Sequence, residues 1–189
     1  VRFRVMCYNI LAQTYVRSPV FPYSVPAALK WRHRRQNLLA EMVACDADIL
    51  CLMDVDNYGE WWRPQLARAG YDGVYKKRPG YKKDGVAIFF RRNLYQLFNS
   101  SEIEFNDIEK YLPRGQKSAK VLQDDVALVL ALQPWEDSTH PSAVCVVCAQ
   151  LVKDQHPSLA EVRRLQLKHL MRTVEEFNSD FHLPVVVCG

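Results

Sequence analysis

The sequence predicts an α/β fold, its sheets covered by helices. Short apolar runs stop on polar or acidic residues, and amphipathic stretches at helical spacing lie between them. Taken in order, the chain reads strand, helix, strand, helix, several strands, helix, strand. Its 189 residues suffice for one domain with a respectable core, and 49% hydrophobic with 24% charged residues is ordinary for a water-facing globular protein. The net charge of +4 is mild and does not by itself imply nucleic acid. No apolar run approaches membrane-spanning length and no signal peptide is visible, so no membrane partner is expected. The expected location is intracellular, in cytoplasm or an organelle matrix. Because Val1 opens directly on a strand-like pattern, the chain reads as part of a longer protein.

The stretch that organises the rest is Ala47 to Asp56. Ile49 to Met53 carry no charge, which suits a strand buried on both faces. Asp54 and Asp56 follow, and on extended chain both carboxylates would point the same way. Paired acids there suit an oxygen-liganded divalent metal, or simply cap the strand and begin a turn with Asn57 and Gly59. Upstream, Phe3 to Asn9 alternates as a strand, with Asn9 at its end either starting a turn or facing a metal. Residues 15 to 25 form a proline-containing loop. Ser24 and Pro26 signal a helix start, and Trp31, Arg35, Leu38, Leu39, Met42 and Val43 give one stripe from Ala27 to about Ala44. The Lys and Arg residues at positions 30 to 35 suit a solvated face.

Glu60 to Arg68 reads as a second helix, interrupted early by Pro64 and stopped by Gly70. Strands are expected over 71–76, 86–90, 126–132 and 144–151, with a long irregular polar connection over 99–123 and turns over 134–142. Asp84-Gly85 between strands reads as a tight turn, since Gly accepts φ > 0. Beside it Lys76, Lys77, Arg78, Lys82 and Lys83 would suit a phosphate-rich ligand. Ser158 to Glu161 fits a capping box opening an amphipathic helix through Phe177, and Pro184 to Cys188 is a last buried strand. The six cysteines sit mostly in apolar strand-like surroundings, as small buried hydrophobes do. Cys145 and Cys148 have CxxC spacing, but on a strand that odd offset sends them to opposite faces, so reduced thiols fit better than zinc or a disulfide.

Several segments together resemble the endonuclease/exonuclease/phosphatase superfamily. They are Met6 to Gln13, Leu29-Lys30-Trp31 with Arg34, Asp46 to Leu52, Lys83 to Phe90, Asp124 to Leu128, and Val187-Cys188-Gly189. Within it the sequence is most similar to the carbon-catabolite-repressor, nocturnin and Angel branch of deadenylase-like enzymes. The spacing of Tyr75, Arg78 and Gly80 before Asp84-Gly85 looks closest to the Angel side. The resemblance implies a DNase I-like two-sheet sandwich flanked by helices, of which residues 1–189 are the N-terminal portion, the C-terminal part being absent.

The resemblance also implies a site. Asn9 and Asp54 would bind Mg²⁺, which polarises a phosphodiester for in-line attack by water, with Gln150 as a further catalytic position. Arg78 and Asp84 would lie at the substrate. Three departures bear on this. Asp54 stands where the family has Glu, one methylene shorter, and Mg²⁺ tolerates little change in ligand geometry. Gln150 stands where the family has His and cannot carry an imidazolium charge. The family's later Asp-Phe-Asn and Asp-His residues lie beyond Gly189. Two functions follow: a fragment of a Mg²⁺-dependent phosphodiesterase acting on RNA 3′ ends, poly(A) or a phosphorylated nucleotide, or a non-catalytic relative binding RNA or protein adaptors. A dinucleotide phosphatase activity stays open. In either case this chain alone is expected to be inactive.

Overall fold

The computed structural model describes residues 2–111, 123–135, 143–153 and 157–189. Two four-stranded sheets face each other. One has the order β1 (Val5–Asn9), β2 (Ile49–Met53), β4 (Gly85–Arg91), β3 (Tyr71–Lys77). The other runs β5 (Tyr95–Glu104), β6 (Val126–Pro134), β7 (Val144–Ala149), β8 (Val185–Cys188). Helices α1 (Trp31–Cys45) and α2 (Arg63–Arg68) pack on the first sheet, and α3 (Pro157–Asn178) packs on the second. Each sheet contains one parallel pair, β1 with β2 and β7 with β8, whose connections carry α1 and α3. Parallel neighbours need such a crossover, and it places both strand ends on the same side.

The period-2 pattern sorts the core into layers. Ile49, Cys51 and Met53 of β2, Val86, Ile88 and Phe90 of β4, Leu128 and Leu130 of β6, and Val146 of β7 fill the space between the sheets. Leu50, Leu52, Ala87 and Phe89 instead face α1 and α2, and Ala127, Val129 and Val147 face α3. Hence β2, β4, β6 and β7 are apolar at nearly every position. Cys148 falls in the inter-sheet layer and Cys145 in the layer under α3, as an odd offset on a strand requires.

Several expected boundaries move. The helix expected from Ala27 begins at Trp31, because residues 24–30 make successive three-residue turns, Ser24 N to Phe21 O and Ala28 N to Val25 O, before the helical ladder starts. Val43 lies off the buried stripe, and Arg35 stacks its guanidinium 4.1 Å above the Trp61 ring. The segment expected as one helix from Glu60 is a π turn (Tyr58–Trp62) running into α2, with Pro64 in its first turn, where no amide donor is missed. The expected irregular stretch from 99 contains most of β5 and a 3₁₀ turn (Phe105–Tyr111). Its polar residues hid it: β5 is an edge strand carrying Asn99, Ser100 and Ser101, with a register shift between Leu97 and Asn99. Residues 112–122 and 136–142, and the Ser158 side chain of the expected cap, lie outside the described residues.

Gly85 serves a different purpose from the one expected. The positive φ in this loop belongs to Gly80, at 63°. Gly85 opens β4 against Lys77, where a Cβ would stand 2.1 Å from the Lys76 carbonyl oxygen. Backbone cannot yield as a flexible side chain does. Gly85→Ala is therefore expected to cost about 3 kcal/mol, by the overpacking rule, read as a lowered urea midpoint; an unchanged midpoint would show that the strand pair slides freely.

Candidate active site

The end of the sandwich where β1, β2 and β7 finish gathers the polar side chains. Asn9 is the last residue of β1 and pairs with Met53, the last of β2, so Asn9 and Asp54 do come from neighbouring strand termini. β2 stops because Asp54 turns left-handed at φ 54°, a conformation Asp tolerates better than most residues. The extended-chain expectation for Asp54 and Asp56 fails for that reason: the two carboxylates have different partners. Asp56 Oδ2 accepts the Gln13 backbone N–H at 2.7 Å. There it steadies the loop after β1, which Arg34 also holds through the carbonyls of Ile10 and Leu11.

Asp54 is 1% exposed and faces across to the second sheet. Its Oδ1 accepts Gln150 Nε2 at 2.7 Å and Lys153 Nζ at 2.9 Å, and its Oδ2 accepts Lys153 Nζ at 2.8 Å. Gln150 follows β7 directly, and its own N–H is fixed on the Val126 carbonyl at 2.9 Å. Gln150 Oε1 is buried without a hydrogen-bond partner. Asn9 is exposed, and its Oδ1 accepts the Leu11 N–H at 2.9 Å, the bond of a turn starter. A cleft of about 430 Å³ opens here, lined among others by Asn9, Met53, Gln150, Lys153, Leu167 and Gly189. Asp54 meets it through Gln150 and Lys153.

A second network braces the first. Arg78 is 4% exposed, with Nη1 on Asp84 Oδ2 at 3.0 Å, Nη2 3.2 Å from Asp125 Oδ1, and further bonds to the carbonyls of Gln123 and Asp124. Tyr15 donates to Asp84 Oδ1 at 2.6 Å, and burial, then the Asp84 carboxylate, push its hydroxyl pKa up. The guanidinium thus ties the loop between β3 and β4 to the segment that leads into β6. Of the other loop cations, Lys76 pairs with Glu102 and Glu104, while Lys77 and Lys83 are exposed. Asp125 Oδ2 accepts Gln166 Nε2 at 3.3 Å, and Gln166 Oε1 accepts the Val152 N–H at 3.0 Å, so this network also sets the backbone next to Lys153.

The structure brings together Asn9, Asp54 and Gln150 at one end, and Arg78 with Asp84 in the adjoining network. Sequence reasoning missed Lys153, Tyr15 and Gln166. Gln166 had a signal, a polar residue four positions from both Val162 and Leu170 on the buried stripe of α3. Lys153 and Tyr15 had none.

Asn9 and Asp54 are the right kind of donor for Mg²⁺, an amide and a carboxylate oxygen at adjacent strand ends. Lys153, however, already lies over both carboxylate oxygens. The residues fit the cation only with that side chain turned away. Among the described residues, no group of three or more His, Cys, Asp or Glu converges on a metal position.

A two-sheet sandwich flanked by helices, with an amide and a carboxylate at adjoining strand ends, defines the class: the chain belongs to the endonuclease/exonuclease/phosphatase family, whose pattern matches residues 6–189. Among its relatives, carbon catabolite repressor protein 4 homolog 2 of Arabidopsis thaliana is 32% identical over 99% of this chain and 34% of its own length. Protein angel homolog 2 of Bos taurus is 34% identical over 99% of this chain and 34% of its own length. The crystal structure of ANGEL2, a 2′,3′-cyclic phosphatase, superposes with a TM-score of 0.82 at 30% identity, covering 99% of this chain and 52% of that one. The catalytic domain of human nocturnin with bound sulfate gives 0.74 at 27% identity, over 99% and 62%. The chain therefore spans about a third of these sequence relatives. Among the described residues no helix is long and apolar enough to cross a membrane.

One pH dependence follows from the bracing network. Burial pushes the Asp125 carboxyl up from 3.8 to about 6, against the pull of Arg78. The native state then holds a proton that the unfolded chain releases between those values, so stability from this group falls as pH rises through that interval. Melting temperatures of wild type and Asp125→Asn should diverge against wild type from about pH 4 to about pH 6, the window in which only the native carboxyl is protonated. Parallel curves would place the proton elsewhere.

Proposed function

We propose that the protein carrying this chain acts on phosphoesters at RNA 3′ ends, as a deadenylase-like exonuclease or a 2′,3′-cyclic phosphatase. One observation carries the reading: Asn9, Gln150 and the Asp54–Lys153 pair meet at one cleft, in a chain that matches a 2′,3′-cyclic phosphatase along 99% of its length. The same phosphatase has been crystallised with adenosine-2′,3′-vanadate, a nucleotide at the kind of end proposed here. The Gln150 amide and the Lys153 ammonium are donors suited to phosphate oxygens. When bound at Asn9 and Asp54, Mg²⁺ would supply charge neutralisation for the reacting phosphate. Arg78 and Asp84 act on substrate through position: their mutual bond closes the loop between β3 and β4, and Arg78 ties that loop to Gln123, Asp124 and Asp125 at the entry to β6. Residues 1–189 are read as the N-terminal part of a larger domain, a reading supported by the edge strand β8, whose Val185 and Val187 are 40% and 46% exposed.

A specific observation favours a second reading, an RNA-binding relative without turnover. Gln150 has no group to protonate a leaving oxygen, and the Asp54 charge is already matched by Lys153. The full-length protein, given 3′-adenylated RNA and RNA ending in a 2′,3′-cyclic phosphate with Mg²⁺, separates the two. Turnover abolished in Asp54→Ala supports the enzyme. Retained RNA affinity with no turnover in either protein supports the binding module. Should the departures at the site limit the chemistry, the double substitution Asp54→Glu, Gln150→His is expected to raise turnover about a hundredfold or more, the lower end of what one general acid–base contact contributes.

A further inference from the structure

We infer that Lys153 is the resident cation of Asp54, a tethered competitor that a divalent ion must displace before it binds. This rests on the reading of Asn9 and Asp54 as the cation position. A carboxylate that is 1% exposed must be paired or lose its charge, and here one ammonium bonds both oxygens at 2.9 and 2.8 Å. The only other side-chain donor to it among the described residues is the Gln150 amide. A strong anionic ligand is therefore already neutralised by the chain itself.

The tether is short and its base is set. Gln150 N bonds the Val126 carbonyl, and Val152 N bonds Gln166, a glutamine 0% exposed and held in turn by Asp125. A group held this way competes at an effective concentration on the order of millimolar or higher. The side chain of Lys153 is nonetheless 51% exposed, so the ammonium has a path into water when something better arrives. Mg²⁺ with one carboxylate and one amide is poorly placed to win, because it is normally held by one or two carboxylates together with substrate phosphates. A phosphate would alter the balance twice, adding oxygens for the metal and giving the freed ammonium an anion to meet. Divalent cation and phosphate are thus expected to enter together.

Mn²⁺ alone, titrated into the full-length protein and read by electron paramagnetic resonance, tests this without any activity assay. Lys153→Gln should bind Mn²⁺ more tightly than wild type by about tenfold or more, equivalent to 1.4 kcal/mol. Lys153→Arg, which keeps a cation at the carboxylate, should stay near wild type. The gain should vanish in the double substitution Lys153→Gln, Asp54→Asn. Equal affinity in wild type and Lys153→Gln overturns the inference, as does a gain that survives loss of the Asp54 charge, or no binding in either protein. If Lys153→Gln is poorly folded in chelator, Mn²⁺ should restore its melt, and failure to restore it also counts against competition. A protein that shows the Mn²⁺ difference but turns over no RNA end loses the proposed activity and keeps this inference.

Discussion

Three of the four buried carboxylates among the described residues, Asp54, Asp84 and Asp125, set the terms for everything around them at one end of the sandwich. None can stay charged there without compensation, since burial of an unpaired ion costs several kcal/mol. Asp84 takes the Arg78 guanidinium and the Tyr15 hydroxyl, and Asp125 takes the same guanidinium and Gln166. Asp54 takes Lys153 and Gln150. The Arg78–Asp125 pair and the bonds of Asp54 to Gln150 and Lys153 cross between the sheets, so the end of the molecule that presents the cleft is also where the two sheets are tied by charge. Apolar packing alone would join them without fixing which side chain faces which.

The topology explains why the polar groups converge. β1 and β2 run parallel, as do β7 and β8, and each pair is separated in sequence by a helix-bearing crossover. Strands arranged this way finish at a common edge, and the residues that follow them are free of the ladder. Asn9, Asp54 and Gln150 are all residues at or just past a strand end. A left-handed turn at Asp54 ends the run of buried apolar residues and carries its carboxylate across to Gln150, on the other sheet.

Against the pattern that the resemblance implies, Asp54 and Gln150 are two separate departures at the proposed site. In the folded chain they are not independent, because Gln150 bonds Asp54 directly and Lys153 completes the pair. An amide and an ammonium together satisfy a carboxylate that an imidazole would contact differently. This mutual fit makes the altered positions a self-consistent arrangement whose charge is closed within the chain.

The apolar strands were legible because β2, β4, β6 and β7 are buried on both faces and carry polar residues only toward their ends. β5 was not, since an edge strand with Asn and Ser at its irregular point looks like a loop. The roles of Asn9, Asp54 and Gln150 as neighbours could be inferred from a resemblance that spans the chain, and Gly85 was picked out correctly but for conformational freedom rather than close backbone approach. Sequence by itself determined the layered α/β class, the buried strands and the residues at their ends, because those follow from local period and turn chemistry. Only the tertiary structure decided that Lys153 lies on Asp54 and that Arg78 reaches Asp125 beyond its near neighbour Asp84. Which buried charge finds which partner depends on distances between segments about a hundred and about fifty residues apart, and no local pattern carries that information.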